Sequence, residues 1–230
     1  VTDQSVMKNE TTSVGNRHRQ PPKNQTSHRL IPAIITVVVL STSACTSEVG
    51  TGPVDTYQAI PGPCFESIET SLAEVVGDLF EQIRFDNQAG PNIAPGGGIT
   101  TTCSVDFSQE TSGSPGNPAN RSITVRYDLR SDPNSPATSV RNAQTAYEQA
   151  ANLATGPTEQ LSAPIGVEGI AWYNDAQMRG GHVLFIDRNL LVTVSLDGRN
   201  NSTNETKQQI SREDAIDEAI RIAEAIAEDL

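Results

Sequence analysis

An apolar run from Leu30 to Leu40 sits early in the chain and decides which part of it can fold as a globule. About a dozen residues of helix rise only ~18 Å, short of the ~30 Å hydrocarbon core, so the run is too short for a lasting transmembrane helix. Arg17, Arg19, Lys23 and Arg29 precede it, with no acid after Glu10, and the small residues Ser41-Thr42-Ser43-Ala44 follow. A basic n-region, a short h-region and a small-residue exit are the pattern of a secretory signal. Residues 1–44 are therefore expected to be a signal peptide, with Cys45 directly after it.

The segment Thr42-Ser43-Ala44-Cys45 resembles the lipobox of bacterial lipoproteins, with Thr42 where an aliphatic residue is usual. The resemblance implies cleavage before Cys45 and a diacylglyceryl group on its thiol. Two or more acyl chains at ~0.8 kcal/mol per buried methylene hold a protein at a membrane. The expected location is then the extracytoplasmic face of the cell membrane. The alternative is an ordinary signal cut after Ala44, leaving a secreted protein with an unlipidated thiol.

Loss of the signal removes Asp3, Glu10 and five basic residues from 28 acidic and 16 basic ones, leaving 26 against 11, a net of −15. Such a surface repels phosphate backbones, which argues against a nucleic-acid partner. It also has no attraction for anionic lipid, so membrane attachment rests on Cys45 alone. Residues 45–62 are rich in Gly, Pro and Thr and read as a flexible tether. Residues 63–230 are long enough for one domain with a real core.

Within that domain Ile68, Leu72, Val75, Val76, Leu79, Phe80 and Ile83 recur at steps of three and four, which predicts a helix over 66–84. A loop is expected over 86–99; its Gly96-Gly97-Gly98 lacks the Lys and Ser/Thr of a phosphate-binding loop. Thr100–Ser108 and the run Ile123, Val125, Tyr127, Leu129 alternate and predict an antiparallel hairpin across a loop at 109–119. Ser135-Pro136 predicts a helix start, with Val140, Tyr147, Ala151 and Leu153 facing in as far as 154. After a turn-rich link, strands at 170–173, 182–186 and 190–196 form a meander. A polar loop at 197–207 and a helix capped by Ser211 close the chain, with Ile216, Ala219, Ile220, Ala223, Ile226, Ala227 and Leu230 as its apolar stripe. The fold class is α+β: a hairpin and a three-stranded meander in an antiparallel sheet, with about three helices packed on one face.

Cys64 and Cys103 are expected to pair in an exported protein, two buried free thiols being the alternative. No Gly-x-Ser-x-Gly elbow occurs, and a Ser-His-Asp triad would have to use His182, the one histidine after Cys45. No zinc or calcium spacing is present, so neither a metal nor a cofactor is expected, and the chain is not read as an enzyme. The acids of the last helix, Glu218 among them, read as N-terminal charge and a solvated face. Phe107, Trp172 and Tyr173 are the aromatics nominated to line a ligand pocket; for the adjacent Trp172 and Tyr173 the alternative, and the favoured one, is core packing of one and edge exposure of the other.

Signal and lipobox, Pro63-Cys64 opening an amphipathic helix, Cys103 on the first strand and Gly166 to Trp172 before a hairpin together resemble a family of small actinobacterial lipoproteins with a domain of unknown function. That family carries no established catalytic residues. The resemblance implies a non-catalytic binding or sensing module of the cell envelope with an unidentified protein or small-molecule partner. A carrier of a small apolar ligand, held near Trp172 and Phe107, is the next reading, and an envelope hydrolase the last.

Overall fold

A computed structural model describes residues 55–93, 98–109, 113–161, 165, 168–176, 179–203 and 207–230, all within one compact unit, Val49–Leu230. The architecture is α+β. Eight antiparallel strands run β1 (Ile83–Ile93), β2 (Ile99–Ser108), β3 (Pro118–Leu129), β4 (Thr158–Leu161), β5 (Glu168–Asn174), β6 (Gly180–Asp187), β7 (Leu190–Asn201) and β8 (Lys207–Gln209). Three helices join them: α1 (Glu69–Val76), α2 (Pro136–Ala151) and α3 (Arg212–Asp229).

The sheet order is β1-β2-β3-β7-β6-β5-β4, with β8 on the end of β7. The expected hairpin is β2–β3 and the expected meander is β5–β6–β7. Pairing of β3 with β7 fuses them into one sheet. Its register sets Ile123 opposite Leu196, Val125 opposite Val194, Tyr127 opposite Val192 and Leu129 opposite Leu190. Both strands alternate cleanly, so a one-residue slip would turn this whole apolar set to water.

The main core lies on that inner face. Leu72 and Val76 of α1 and Ala219, Ile222, Ala223 and Ile226 of α3 pack there against Val105, Val125, Phe185 and Val194. Each large aliphatic group buried contributes roughly 1.5–3 kcal/mol. The outer face carries a smaller cluster, where Ala143 and Tyr147 of α2 meet Ile170, Leu184, Ile186 and Leu191. Helices therefore occupy both faces, not one. The cause is legible in β6: every residue from Gly180 to Ile186 is buried, because α3 covers one side and α2 the other.

Several boundaries differ from expectation. The first helix stops at Val76, because Gly77 adopts φ 56°, and a single 3-10 turn, Gly77–Leu79, carries Leu79 into the core. Ile83 belongs to β1. The stretch expected as a loop at 86–99 is mostly strand, paired with β2 from Ile83–Ser108 to Ile93–Ile99 through an irregularity between Ala89 and Asn92. It was invisible to periodicity because β1 is exposed on both faces beyond Arg84, leaving no apolar alternation to read. The link likewise contains the short strand β4, paired with β5, while β7 runs on to Asn201 through the first half of the expected polar loop, and β8, paired with β7, begins at that loop's last residue, Lys207.

The second helix starts as expected, with the Ser135 hydroxyl accepting from the Thr138 amide and Pro136 at its first position. It ends at Ala151, and Leu153 is 79% exposed rather than facing in. Ser211 caps α3 by accepting from the Asp214 amide at 3.0 Å. The buried stripe of α3 is Ala215, Glu218, Ala219, Ile222, Ala223 and Ile226, rotated from the expected one, so that Ile216, Ile220, Ala227 and Leu230 lie on its flanks.

Candidate functional site

Cys45, the expected lipidation site, lies outside the described residues. Cys64 and Cys103 are bonded, with Cα atoms 6.2 Å apart, inside the usual disulfide range. The bond ties the entry to α1 onto the inner face of β2, closing a 39-residue separation. A loop of that size gives roughly 4 kcal/mol in the chain-entropy account.

The three aromatics nominated for a ligand pocket do not share one. Phe107 is 1% exposed on the inner face, its ring 6.0 Å from Phe80 with the Arg84 guanidinium 5.8 Å from its centroid. Tyr173 is buried on the same face. Trp172 points to the outer face, as successive strand residues must, and packs beside the α2 cluster. Its indole stacks on the His182 ring at 5.2 Å.

Those outer-face rings end a row that sequence alone did not reveal. The strand registers place Asn87, Ser104, Thr124, Ser195, His182 and Trp172 side by side across β1, β2, β3, β7, β6 and β5. At ~4.8 Å per strand this row is ~24 Å wide. Thr102, Arg126 and Thr193 flank it on one side; Asp106, Ser122 and Asp197 flank it on the other. None of these six is buried, and α2, the helix on this face, packs on Leu184, Ile186 and Leu191 towards the other half. Towards β8 the face opens into a cleft of about 450 Å³ bordered by Asp106, Ser122, Asp197, Arg199 and Gln209. The alternation that built the inner core produced this surface too, since the outward residues of β2, of β3 from Ser122 to Asp128 and of β7 from Thr193 to Arg199 are all Ser, Thr, Asp or Arg.

Hydroxyls and carboxylates on a rigid sheet can exchange several hydrogen bonds with a ligand at once. They are poorly placed for acyl transfer. His182 Nδ1 lies 2.8 Å from Ser195 Oγ, but His182 is only 3% exposed, beneath Trp172. The backbone around Ser195 is committed to ladders with β3 and β6, so its amides are not free to hold an oxyanion. In this fold the His182 ring is held between the Ser195 hydroxyl and the Trp172 indole.

Two further clusters escaped the sequence. The Arg121 guanidinium, 2% exposed, meets Glu218 with Nε–Oε2 at 2.7 Å and Nη2–Oε1 at 3.0 Å. Arg121 also donates to the Asn120 and Arg199 carbonyls and to Asn200 Oδ1, so all of its donors are used. Glu218 is therefore no part of a solvated face. Residues 55–62, read as tether, are docked on the domain. The Tyr57 amide donates to Asn189 Oδ1 at 2.7 Å, and Asn189 Nδ2 donates to the Tyr57 carbonyl and to that of Arg130. The Tyr57 hydroxyl donates to Asp187 at 2.5 Å and is met by Arg188, whose guanidinium also lies 3.8 Å over the ring centroid. Burial, with the Asp187 carboxylate second, raises the Tyr57 pKa to about 12. The turn itself is unusual, Arg188 standing at φ 53°, and Tyr57 and Asp187 hold it there. A Gly- and Pro-rich segment carries no pattern that marks one Tyr as a latch.

No protein-family model, no curated protein and no solved structure matches the chain, so the site's own chemistry has to carry its function.

Proposed function

We propose that the chain is a cell-envelope lipoprotein, anchored through a diacylglyceryl group on Cys45, whose domain is a non-catalytic binding or sensing module. The open row Asn87, Ser104, Thr124, Ser195 on the outer face carries this reading. A domain that had only to be stable would gain from covering that half of its sheet, as α2 covers the other. Left open, it presents hydroxyl and amide groups on a scaffold whose inner side is fully packed, the arrangement expected of a preorganised polar binding face. The ligand it fits is polar and rich in hydrogen-bonding groups. The lipobox-like Thr42-Ser43-Ala44-Cys45 supports the anchor and the extracytoplasmic setting. The carrier reading has less support, because Phe107 and Tyr173 are packed into the core and Trp172 lies on the other face.

The test is photocrosslinking in cells from a reactive side chain placed at Ser104 or Thr124, with exposed Arg141 on α2 as the control position. Covalent adducts from the first two and none from the third are expected. Adducts from none, or equally from all three, would remove the open face as the binding surface.

A further inference from the structure

A second cleft, of about 350 Å³, lies where the segment before α1 meets the end of α3 and the lower part of β3. Pro61 and Pro63 form one wall, and Glu66, Asp229 and the phenol of Tyr127 line the rest. It belongs to the inner side of the sheet, away from the open row. Glu66 and Asp229 are exposed, and neither is in an ion pair among the described residues.

Two surface carboxylates would mean nothing alone. Tyr127 changes that. Its ring is in the main core and the residue is 3% exposed, yet it lines this cleft, and among the described residues no hydrogen bond joins its hydroxyl to another group. The oxygen is not sealed from solvent, so it is open to a group that enters the cleft. Burial first, and the Asp229 carboxylate second, raise its pKa to about 12, so the group is a neutral phenol at neutral pH, whose oxygen can still accept from a donor. The cleft therefore gathers two carboxylates and one phenol oxygen, three acceptors in all, beside apolar proline rings.

An ammonium group has three donors and no acceptor, and its methylene stem packs on apolar surface. We propose that this cleft binds a primary alkylammonium group, presented by a free diamine or by a lysine side chain. Glu66 and Asp229 supply the charge, Tyr127 the third acceptor, and Pro61 and Pro63 the contact for the stem. The proposal goes beyond the binding-module reading and does not rest on the lipid anchor or the open sheet face.

Isothermal titration of the full chain at neutral pH and low salt tests it, with cadaverine as the diamine and Nα-acetyl-lysine methylamide as the side-chain probe. Saturable binding of at least one is expected, and the tighter of the two identifies the source. The neutral Nε-acetylated form of the lysine probe is expected not to bind. Glu66→Gln/Asp229→Asn, whose sites are exposed and whose fold should be unchanged, is expected to lose binding. Tyr127→Phe keeps the ring and is expected to weaken it by about tenfold, the value of one hydrogen bond to a charged group. No saturable binding of either probe by the wild type would overturn the proposal. So would unchanged affinity in the carboxylate variant or in Tyr127→Phe. Any of these would leave the crosslinking test of the open face untouched.

Discussion

Glu218 shows where residue-level reading of a helix fails. Its neighbours in the chain are acids and alanines, and nothing local separates it from the solvated Asp217. Its partner Arg121 comes from a strand 97 positions earlier, so only the assembled fold reveals the pair. Removing one member of a buried ion pair leaves the other uncompensated, a cost of about 3–5 kcal/mol. Urea unfolding of Glu218→Ala is expected to show a loss of that size. Arg121→Met/Glu218→Leu, which removes both charges, is expected to lose less than the single variant; equal loss would mean that the carbonyl contacts of Arg121 matter more than its charge partner. Tyr127 gives a pH-dependent signature. Its phenol ionises at about 12 in the folded protein against 10.0 in the open chain. The stabilising difference is thus fully present below pH 10 and is lost as pH rises towards 12. A shift of this size corresponds to about 3 kcal/mol. Tyr127→Phe is expected to lose correspondingly less stability across that window, against a background to which Tyr57, shifted in the same direction, also contributes. An alkaline decline identical to that of the wild type would contradict the assignment.

Elements were legible in proportion to how asymmetrically they are buried. β2, β3 and β7 have one apolar and one polar side over most of their length, and α2 and α3 have clear caps, so alternation and capping residues found them. β1 is exposed on both sides, and β4 and β8 are too short to show a period, so backbone pairing defines them instead. β6 poses the reverse problem: being covered by α2 and α3, it reads as a continuous run whose faces cannot be told apart. Its second residue, Gly181, explains how closely α3 can approach. A methyl group there would fall on the Ala215 carbonyl of α3, which is backbone and cannot step aside. Gly181→Ala is expected to force α3 away from β6 and to cost about 1–3 kcal/mol, the usual range for overpacking. Gly90, in exposed β1 with nothing within 4 Å of an added Cβ, is the control. Gly90→Ala is expected to be close to neutral in the same denaturation assay. Equal effects at the two positions would deny the close α3–β6 contact.

For the molecule as a whole, the sequence carried the α+β class, the hairpin, the meander and the Cys64–Cys103 pair. It did not carry the β3–β7 junction, because joining two supersecondary units edge to edge depends on inner faces matching over a long separation. From that junction come both the continuous core and the polar row that crosses it. The docking of Tyr57 matters at this scale too. It fixes the chain to the β6–β7 turn, so at most ten residues separate Asp55 from Cys45, a span of no more than ~35 Å when fully extended. A lipid on Cys45 would keep that turn within this span of its membrane. Where the domain works therefore turns on the anchor. Intact mass and fatty-acid labelling of the membrane fraction, wild type beside Cys45→Ala, decide it. Diacylglyceryl mass on a chain beginning at Cys45, and loss of label in the variant, are expected. An unlabelled chain cut after Ala44 and recovered from the medium would contradict the anchor.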